Sequence, residues 1–556
     1  MRRTRRAGQA AFVLAVLVVT FVPVLAQAAD QPWASATFAA QSQSVIRSTN
    51  GVRMTNDDTV PTRAFAGPSS MLSDPSNPLV ILAATVELRS GVCRLLRSDD
   101  GGQNWHILPA KPSMTSLPYC SVSNGAVAQS FIAWGKHDTL YYALTGYDSN
   151  NSGPSKGHMV IQLAKSTDLG NSWNTVLVDD PRTAANNPSD TQVGDLVVDA
   201  SGSQDAVYVG LRRSYPSAAT GTPLANGEQD VSVSTDGGNT FGTPVNLNTF
   251  SQQTLTVAGK SYPLLLSGGP FLAVHGGVIE AVSSSTTPSG VTIPSPTNVF
   301  IPMPHLVARS TDQGRTWTVN TLGPPIFSAM GGQTGMAWTP KGGSQGTFIA
   351  VFAATPSTAS TSGWESLVEM RSTDAGQSWS DPTVVNDDDP SLQYTSFCPL
   401  LQVAPNGRVD LVWETNRAQV NDHFAVYYTY SGDGGATWAP NVQASDQGTN
   451  FDFGISYNGD IRQPAGVASA NQYAAFGWAD TRLANATTQT QDVYGAMSQF
   501  ASIPSPNTTP WPLIVAIVDG LATAAVIGGL VAYARRRQRG RAAAGATRPP
   551  VGTRTT

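Results

Sequence analysis

The feature that most restricts what this chain can fold into is a motif written six times. Ser98-x-Asp100-x-Gly102-x-x-Trp105 comes first, followed by Ser166/Asp168/Gly170/Trp173, Ser234/Asp236/Gly238/Phe241, Ser310/Asp312/Gly314/Trp317, Ser372/Asp374/Gly376/Trp379 and Ser431/Asp433/Gly435/Trp438. Successive aspartates lie 68, 68, 76, 62 and 59 residues apart. Self-similarity at such a period marks a supersecondary unit that buries its faces against copies of itself. Each copy has the logic of a hairpin turn. The Asp carboxylate accepts backbone N–H groups of its own turn, the Gly supplies a positive φ, and the aromatic residue opens the next strand. Alternating runs such as HMVIQLAKS, QDVSVSTD and FAVYYTYS lead into the motif and fit a strand–turn–strand unit.

A second repeat lacks the motif. In CPLLQVAPNGRVDLVWETNR and RQPAGVASANQYAAFGWADTR, Pro399 precedes Trp413 by the same 14 residues that separate Pro464 from Trp478. Arg417 and Arg482 each follow four residues after their Trp. Residues 455–500 therefore read as one more unit without its turn motif and without a clear fourth strand, and residues 35–49 can supply that strand and close a ring.

These motifs resemble the Asp-box (BNR) repeat of the sialidase-like β-propellers, over about residues 60 to 500. The resemblance implies an all-β chain of antiparallel four-stranded blades, seven preferred and six as the alternative. It also implies that the box lies between the third and fourth strands, away from the ligand, so Asp100, Asp168, Asp236, Asp312, Asp374 and Asp433 are structural. The ligand face then carries the connections around 146–158, 212–230, 284–305 and 355–365, and the ends of the second strands. Glu414 and Asp480 are the candidate catalytic carboxylates, and Arg212, Arg417 and Arg482 the candidate ligand-binding arginines. The family's Phe/Tyr-Arg-Ile-Pro motif is missing; Val52-Arg53-Met54 and Ile461-Arg462-Gln463-Pro464 match it poorly. The nucleophilic tyrosine and its glutamate partner cannot be assigned.

The two ends read differently from the repeats. Arg2, Arg3, Arg5 and Arg6, the apolar run 10–25 and Ala26-Gln27-Ala28 have the order of a secretory signal peptide, residues 1–28. Residues 29–503 form the propeller ectodomain and 504–512 a linker. The apolar run 513–533 is long enough to span a bilayer as one C-terminal transmembrane helix. The arginine-rich tail 534–556 keeps its end cytoplasmic, giving a single-pass membrane protein with an exported N-terminal body. Setting aside four signal and seven tail arginines leaves 22 Lys and Arg against 37 carboxylates outside the span, a balance of −15. An acidic body argues against a nucleic-acid partner.

Three cysteines are too few for a disulfide scaffold. Cys93 and Cys120 are near enough in sequence to pair, leaving Cys398 as a buried thiol. The six histidines show no metal-ligand spacing, and no phosphate loop or nucleophile elbow is present, so no metal or cofactor is expected. Asp387-Asp388-Asp389 reads as an acidic surface turn. Two functions remain: a cell-surface propeller that binds glycan or a surface protein without catalysis, and, as the alternative, an exo-acting glycoside hydrolase of sialidase type.

Overall fold

A computed structural model describes most of residues 37–500. Residues 1–36 and 501–556 lie outside the described residues, as do internal segments including 56–63, 109–121, 148–158, 181–189, 215–226, 327–333, 356–363 and 455–464. The expected signal peptide and spanning helix therefore fall outside the description. Among the described residues no helix is long and apolar enough to cross a membrane.

Seven antiparallel sheets follow one another along the chain among the described residues, each with a run of four strands, to which the last two add a short fifth strand off that run. Blade 1 comprises Ser70–Ser73, Ile81–Glu87, Val92–Ser98 and His106–Ile107. Blade 2 has Phe131–Trp134, Leu140–Tyr147, Met159–Ser166 and Asn174–Asp179, and blade 3 Asp190–Asp199, Ala206–Ser214, Glu228–Ser234 and Val245–Asn246. Blade 4 has Leu265–His275, Val278–Thr286, Met303–Ser310 and Thr318–Ile326, and blade 5 Thr334–Thr339, Thr347–Ala354, Ser366–Ser372 and Thr383–Val384. Blade 6 runs through Ser396–Val403, Val409–Thr415, His423–Ser431 and Val442–Gln443. Blade 7 is the unit without the turn motif, Gly466–Ser469, Tyr473–Asp480 and Asp492–Phe500. Its fourth strand is Val45–Arg47, which pairs antiparallel with Phe500, Gln499 and Ser498. The fold is thus the seven-bladed propeller, closed by its N-terminal segment as the repeat required.

Strands such as ILAATVE are buried on both faces, because each blade packs on two neighbours. Every seam holds its own apolar cluster. Met71 and Ile81 of blade 1, for example, pack with Ala468 and Tyr473 of blade 7 and so seal the ring. Burying both faces of every sheet removes the cost of an apolar open edge.

All six turn motifs lie between the third and fourth strands. In the fourth, Asp312 Oδ1 accepts from Ser310 Oγ at 2.9 Å and from the Thr316 backbone N–H at 2.9 Å, while Thr316 Oγ1 donates to Oδ2 at 2.7 Å. The Thr316 hydroxyl, the Thr316 N–H and then the Ser310 and Arg315 bonds hold this carboxyl at about 2. The Trp317 indole N–H donates to the Gly314 carbonyl at 3.0 Å. The residue after the Asp has a positive φ, 59° at Leu169 and 58° at Ala375, so its carbonyl points outward. The cation just before the preceding blade's Ser captures it: Arg97 reaches the Leu169 carbonyl at 3.1 Å, Lys165 that of Gly237 at 2.9 Å, and Arg309 that of Ala375 at 2.8 Å. The motif therefore stitches blade to blade as well as closing its own hairpin.

Two buried glutamates sit under these stitches. Glu280 lies with Arg309 Nε at 3.3 Å, and its carboxylate occupies the space where a side chain on Gly376 would begin. Glu369 pairs with Arg371 at 3.2 Å and accepts from Trp438 Nε1 at 3.0 Å. Burial raises Glu280 to about 9 and Glu369 to about 8, against the opposing pull of their arginines. The folded state holds these protons more tightly than the unfolded chain. Their contribution to stability is therefore complete below about 4.5 and is lost as pH rises through about 8 to 9. Thermal melts from pH 5 to 9 should show a falling Tm, and Glu280→Gln and Glu369→Gln should each flatten the slope; an unchanged slope in both would refute this assignment.

Candidate functional site

The turn motifs and the hairpins between first and second strands share one face of the ring. The opposite face receives the connections from second to third strands and from blade to blade. There the ends of the strands carry charged side chains, several of them buried, in three groups.

In the seam between blades 6 and 7, Asp480 is buried and accepts from the Arg482 backbone N–H at 2.7 Å, Arg482 Nη2 at 2.7 Å and Trp478 Nε1 at 3.1 Å. Arg482 also grips Asp446 through Nη2 at 2.6 Å and Nη1 at 3.0 Å, and lies 3.9 Å from the Tyr494 ring centroid. Beside it, Arg53 donates to Asp492 at 3.1 Å, and Thr55 Oγ1 donates to the same carboxylate oxygen at 2.8 Å. Asp480 and Asp492 are register partners. Glu414 is buried on the blade 6 face that it shares with Val412 and Val426, the face packed on Trp478 and Tyr494. The seam thus gathers Glu414, Asp480 and Arg482 from the sequence-derived set.

Arg417 is on the other side of blade 6, toward blade 5. It contacts Asp387 at 2.5 Å and Asp388 at 3.1 Å, with the Tyr427 ring centroid 5.2 Å away. Burial pushes the Asp388 carboxyl up, against the Asn386 bond and the Arg417 charge. The acidic turn read at Asp387–Asp389 is thus an anchor for Arg417. Arg417 and Arg482 repeat one arrangement: an arginine four residues past a buried Trp, paired to an aspartate before its blade and stacked on a third-strand tyrosine.

Arg212 is exposed on blade 3, in register with Gln192 and Gln229. Gln229 Oε1 accepts from the Gly269 N–H at 3.0 Å, so this face looks toward blade 4, away from the seam holding Asp480. Its neighbour Arg213 is buried toward blade 2. Arg213 pairs with Asp179 at 2.8 Å and Asp230 at 3.1 Å, with Glu228 at 4.0 Å. Three carboxylates surround one guanidinium. Burial, with Glu228 and Asp179 adding repulsion and Arg213 opposing, raises Asp230 to about 7. Asp179 is raised too, by burial against the opposing charge and hydrogen bond of Arg213.

Sequence reasoning passed over Asp230 and Tyr494, weighed Arg53 only as a poor match to the family motif, and placed Arg213 at the end of its second strand without choosing it as a ligand-binding residue. For Arg213 a signal was present: it keeps phase with Val207, Val209 and Leu211, the residues packed on blade 2. Arg53 and Asp492 are 439 residues apart, and no local pattern links them.

Cys93 is disulfide-bonded and Cys398 is a buried thiol; Cys120 lies outside the described residues. Among the described residues no group of three or more His, Cys, Asp or Glu side chains is placed to hold a metal ion. Leu392, Phe453 and Leu483 are exposed in connections of blades 5 to 7 that open on this same face.

No family model and no curated protein matches the chain. Solved structures similar to it are propeller-sized at low identity. An α-L-arabinanase of Penicillium chrysogenum is 16% identical, over 67% of this chain and 94% of its own, with a TM-score of 0.38. A Hadza microbial sialidase is 11% identical, over 84% and 98%, at 0.41, and a Trypanosoma rangeli sialidase 12% identical, over 70% and 60%, at 0.39.

Proposed function

We propose that this protein is an exported, membrane-tethered propeller that binds a neutral glycan on the face opposite its turn motifs, without hydrolysing it. The observation that carries this reading is the seam between blades 6 and 7. Arg482 is stacked on Tyr494 and clasped by Asp480 and Asp446, with exposed Leu483 next to it in the chain and exposed Phe453 in the connection that joins the same two blades. Apolar surface beside fixed acceptors suits a sugar, whose ring presents C–H groups and whose hydroxyls donate. The sign of the charge selects among sugars. Asp446, Asp480 and Asp492 outnumber Arg53 and Arg482, and the guanidinium that would grip a ligand carboxylate already has two protein carboxylates within 3 Å. A sialic acid would have to displace one of them, whereas a neutral sugar would not.

Glycan-array binding by the ectodomain should favour neutral over sialylated glycans and fall by about tenfold in Asp446→Asn, where an acceptor is lost. Preferential binding of sialosides would sink the neutral reading. Tethering is tested by deleting 513–533: the protein should leave the membrane fraction for the medium.

The hydrolase remains the second reading because of Asp230, a carboxyl raised to about 7 beside two others and so able to hold and release a proton near neutrality. A panel of aryl glycosides decides it. Turnover that disappears in both Asp230→Asn and Asp480→Asn would replace the binding reading with the enzymatic one.

A further inference from the structure

The propeller axis is not filled. First strands of the blades enclose a cavity of about 140 Å³, whose lining includes Asp195, Thr334 and Ser70 together with Phe131, Phe271 and Met336. A second space of about 350 Å³ continues from it, sharing Ile132, Leu196 and Gln402. That second space ends among Trp134, Trp338 and Ser73, at the strand ends on the turn-motif side, so the axis is reached from the face opposite the glycan seam.

Asp195 sits in the bulge of the first strand of blade 3. Its Oδ1 accepts from its neighbour Leu196 N–H at 2.8 Å and its Oδ2 from the Leu272 N–H of blade 4 at 2.7 Å. Each oxygen has capacity for a further donor. No Lys, Arg or His lines either space. Thr334, 3% exposed, lines the same cavity, and its hydroxyl has no hydrogen-bond partner. Asp195 and the idle Thr334 hydroxyl therefore share a chamber of mixed polarity, lined also by Ser69, Ser70 and Gln402, with no basic side chain among the described lining residues, and an anion held away from bulk water without a counter-charge is costly.

We infer that the axial cavity binds a small organic ammonium ion, with Asp195 as its counter-ion and Thr334 as a further acceptor. The donor set separates this from a divalent metal. One carboxylate with a few neutral hydroxyl and amide groups does not supply the shell of six to eight oxygens such an ion takes, whereas an ammonium needs about three acceptors and tolerates the aromatic and aliphatic residues that share the lining. The cavity volume limits the ligand to a short chain.

Titration of the protein with n-butylammonium chloride, followed by thermal shift and calorimetry, tests the site. Saturable stabilisation is expected, absent with n-butanol and absent with sodium chloride at equal ionic strength. Asp195→Asn should weaken binding at least roughly tenfold, and Thr334→Val, which removes only an idle hydroxyl, should weaken it less. Burial, opposed by the Leu272 and Leu196 N–H bonds, places the Asp195 carboxyl at about 6, so affinity should fall as pH drops through that value. Equal stabilisation by n-butanol would mean that the cavity is merely filled. Equal stabilisation by sodium chloride, or affinity retained in Asp195→Asn, would overturn the assignment as well.

Discussion

Arg408→Met is expected to lower the unfolding free energy by about 3–5 kcal/mol, the range for breaking a buried ion pair on one side only. Arg408 is buried and forks onto Asp410 through Nε at 2.8 Å and Nη2 at 2.9 Å. The same guanidinium donates to the carbonyls of Ala470 at 2.8 Å, Tyr473 at 2.9 Å and Asn471 at 3.1 Å, all at the first hairpin of blade 7. Its plane lies 3.8 Å from the ring centroid of Phe500, where the third strand of that blade ends. Methionine fills much of the space but leaves Asp410 with Tyr428 Oη, at 2.6 Å, as its remaining side-chain donor, and strips three carbonyls of a partner. The double change Arg408→Met with Asp410→Leu should recover part of the loss, because the stranded charge is then gone as well. Urea denaturation followed by tryptophan fluorescence measures both. A single-variant loss under about 1 kcal/mol would show that blade 7 does not depend on this anchor.

Trp438→Ala should be similarly damaging, about 3–5 kcal/mol, as for other large-to-small changes in a packed core. Trp438 is fully buried, in the cluster that joins blades 5 and 6. It differs from Trp317 of the fourth motif in what its indole N–H does. Trp317 donates to its own turn, whereas Trp438 donates across the seam to Glu369 at 3.0 Å. Trp438→Phe separates the two contributions. It keeps most of the volume but leaves a buried carboxyl without its donor, a cost of about 1–3 kcal/mol. The same change on Trp317 should cost less, since it strands a neutral carbonyl of its own turn rather than a buried carboxyl across the seam. If the two Phe variants lose equal stability, the inter-blade hydrogen bond adds nothing.

The amino-acid sequence by itself determined the architecture. Six copies of a turn motif and a seventh unit recognised from Pro399/Trp413 and Pro464/Trp478 count the blades, and the missing fourth strand of the last unit points to the N-terminal segment. That reading works because the motif's chemistry is local. Ser310, Asp312, Gly314 and Trp317 satisfy one another within eight residues, so their spacing is visible in a linear chain. The strands' alternation also says which residues share a face. What tertiary structure alone decided is what each face meets. Arg212 and Arg213 are adjacent in sequence, yet one is exposed and the other is buried among Asp179, Glu228 and Asp230, carboxylates from blades 2 and 3. Arg417 and Arg482 read as open clamps for a ligand until blade packing brought Asp387 and Asp446 onto them. Asp195 acquires its meaning only when first strands from around the ring converge on one axis. Coulomb and hydrogen-bond energies depend on distance in space, and in a ring of seven blades separation along the chain carries little information about that distance.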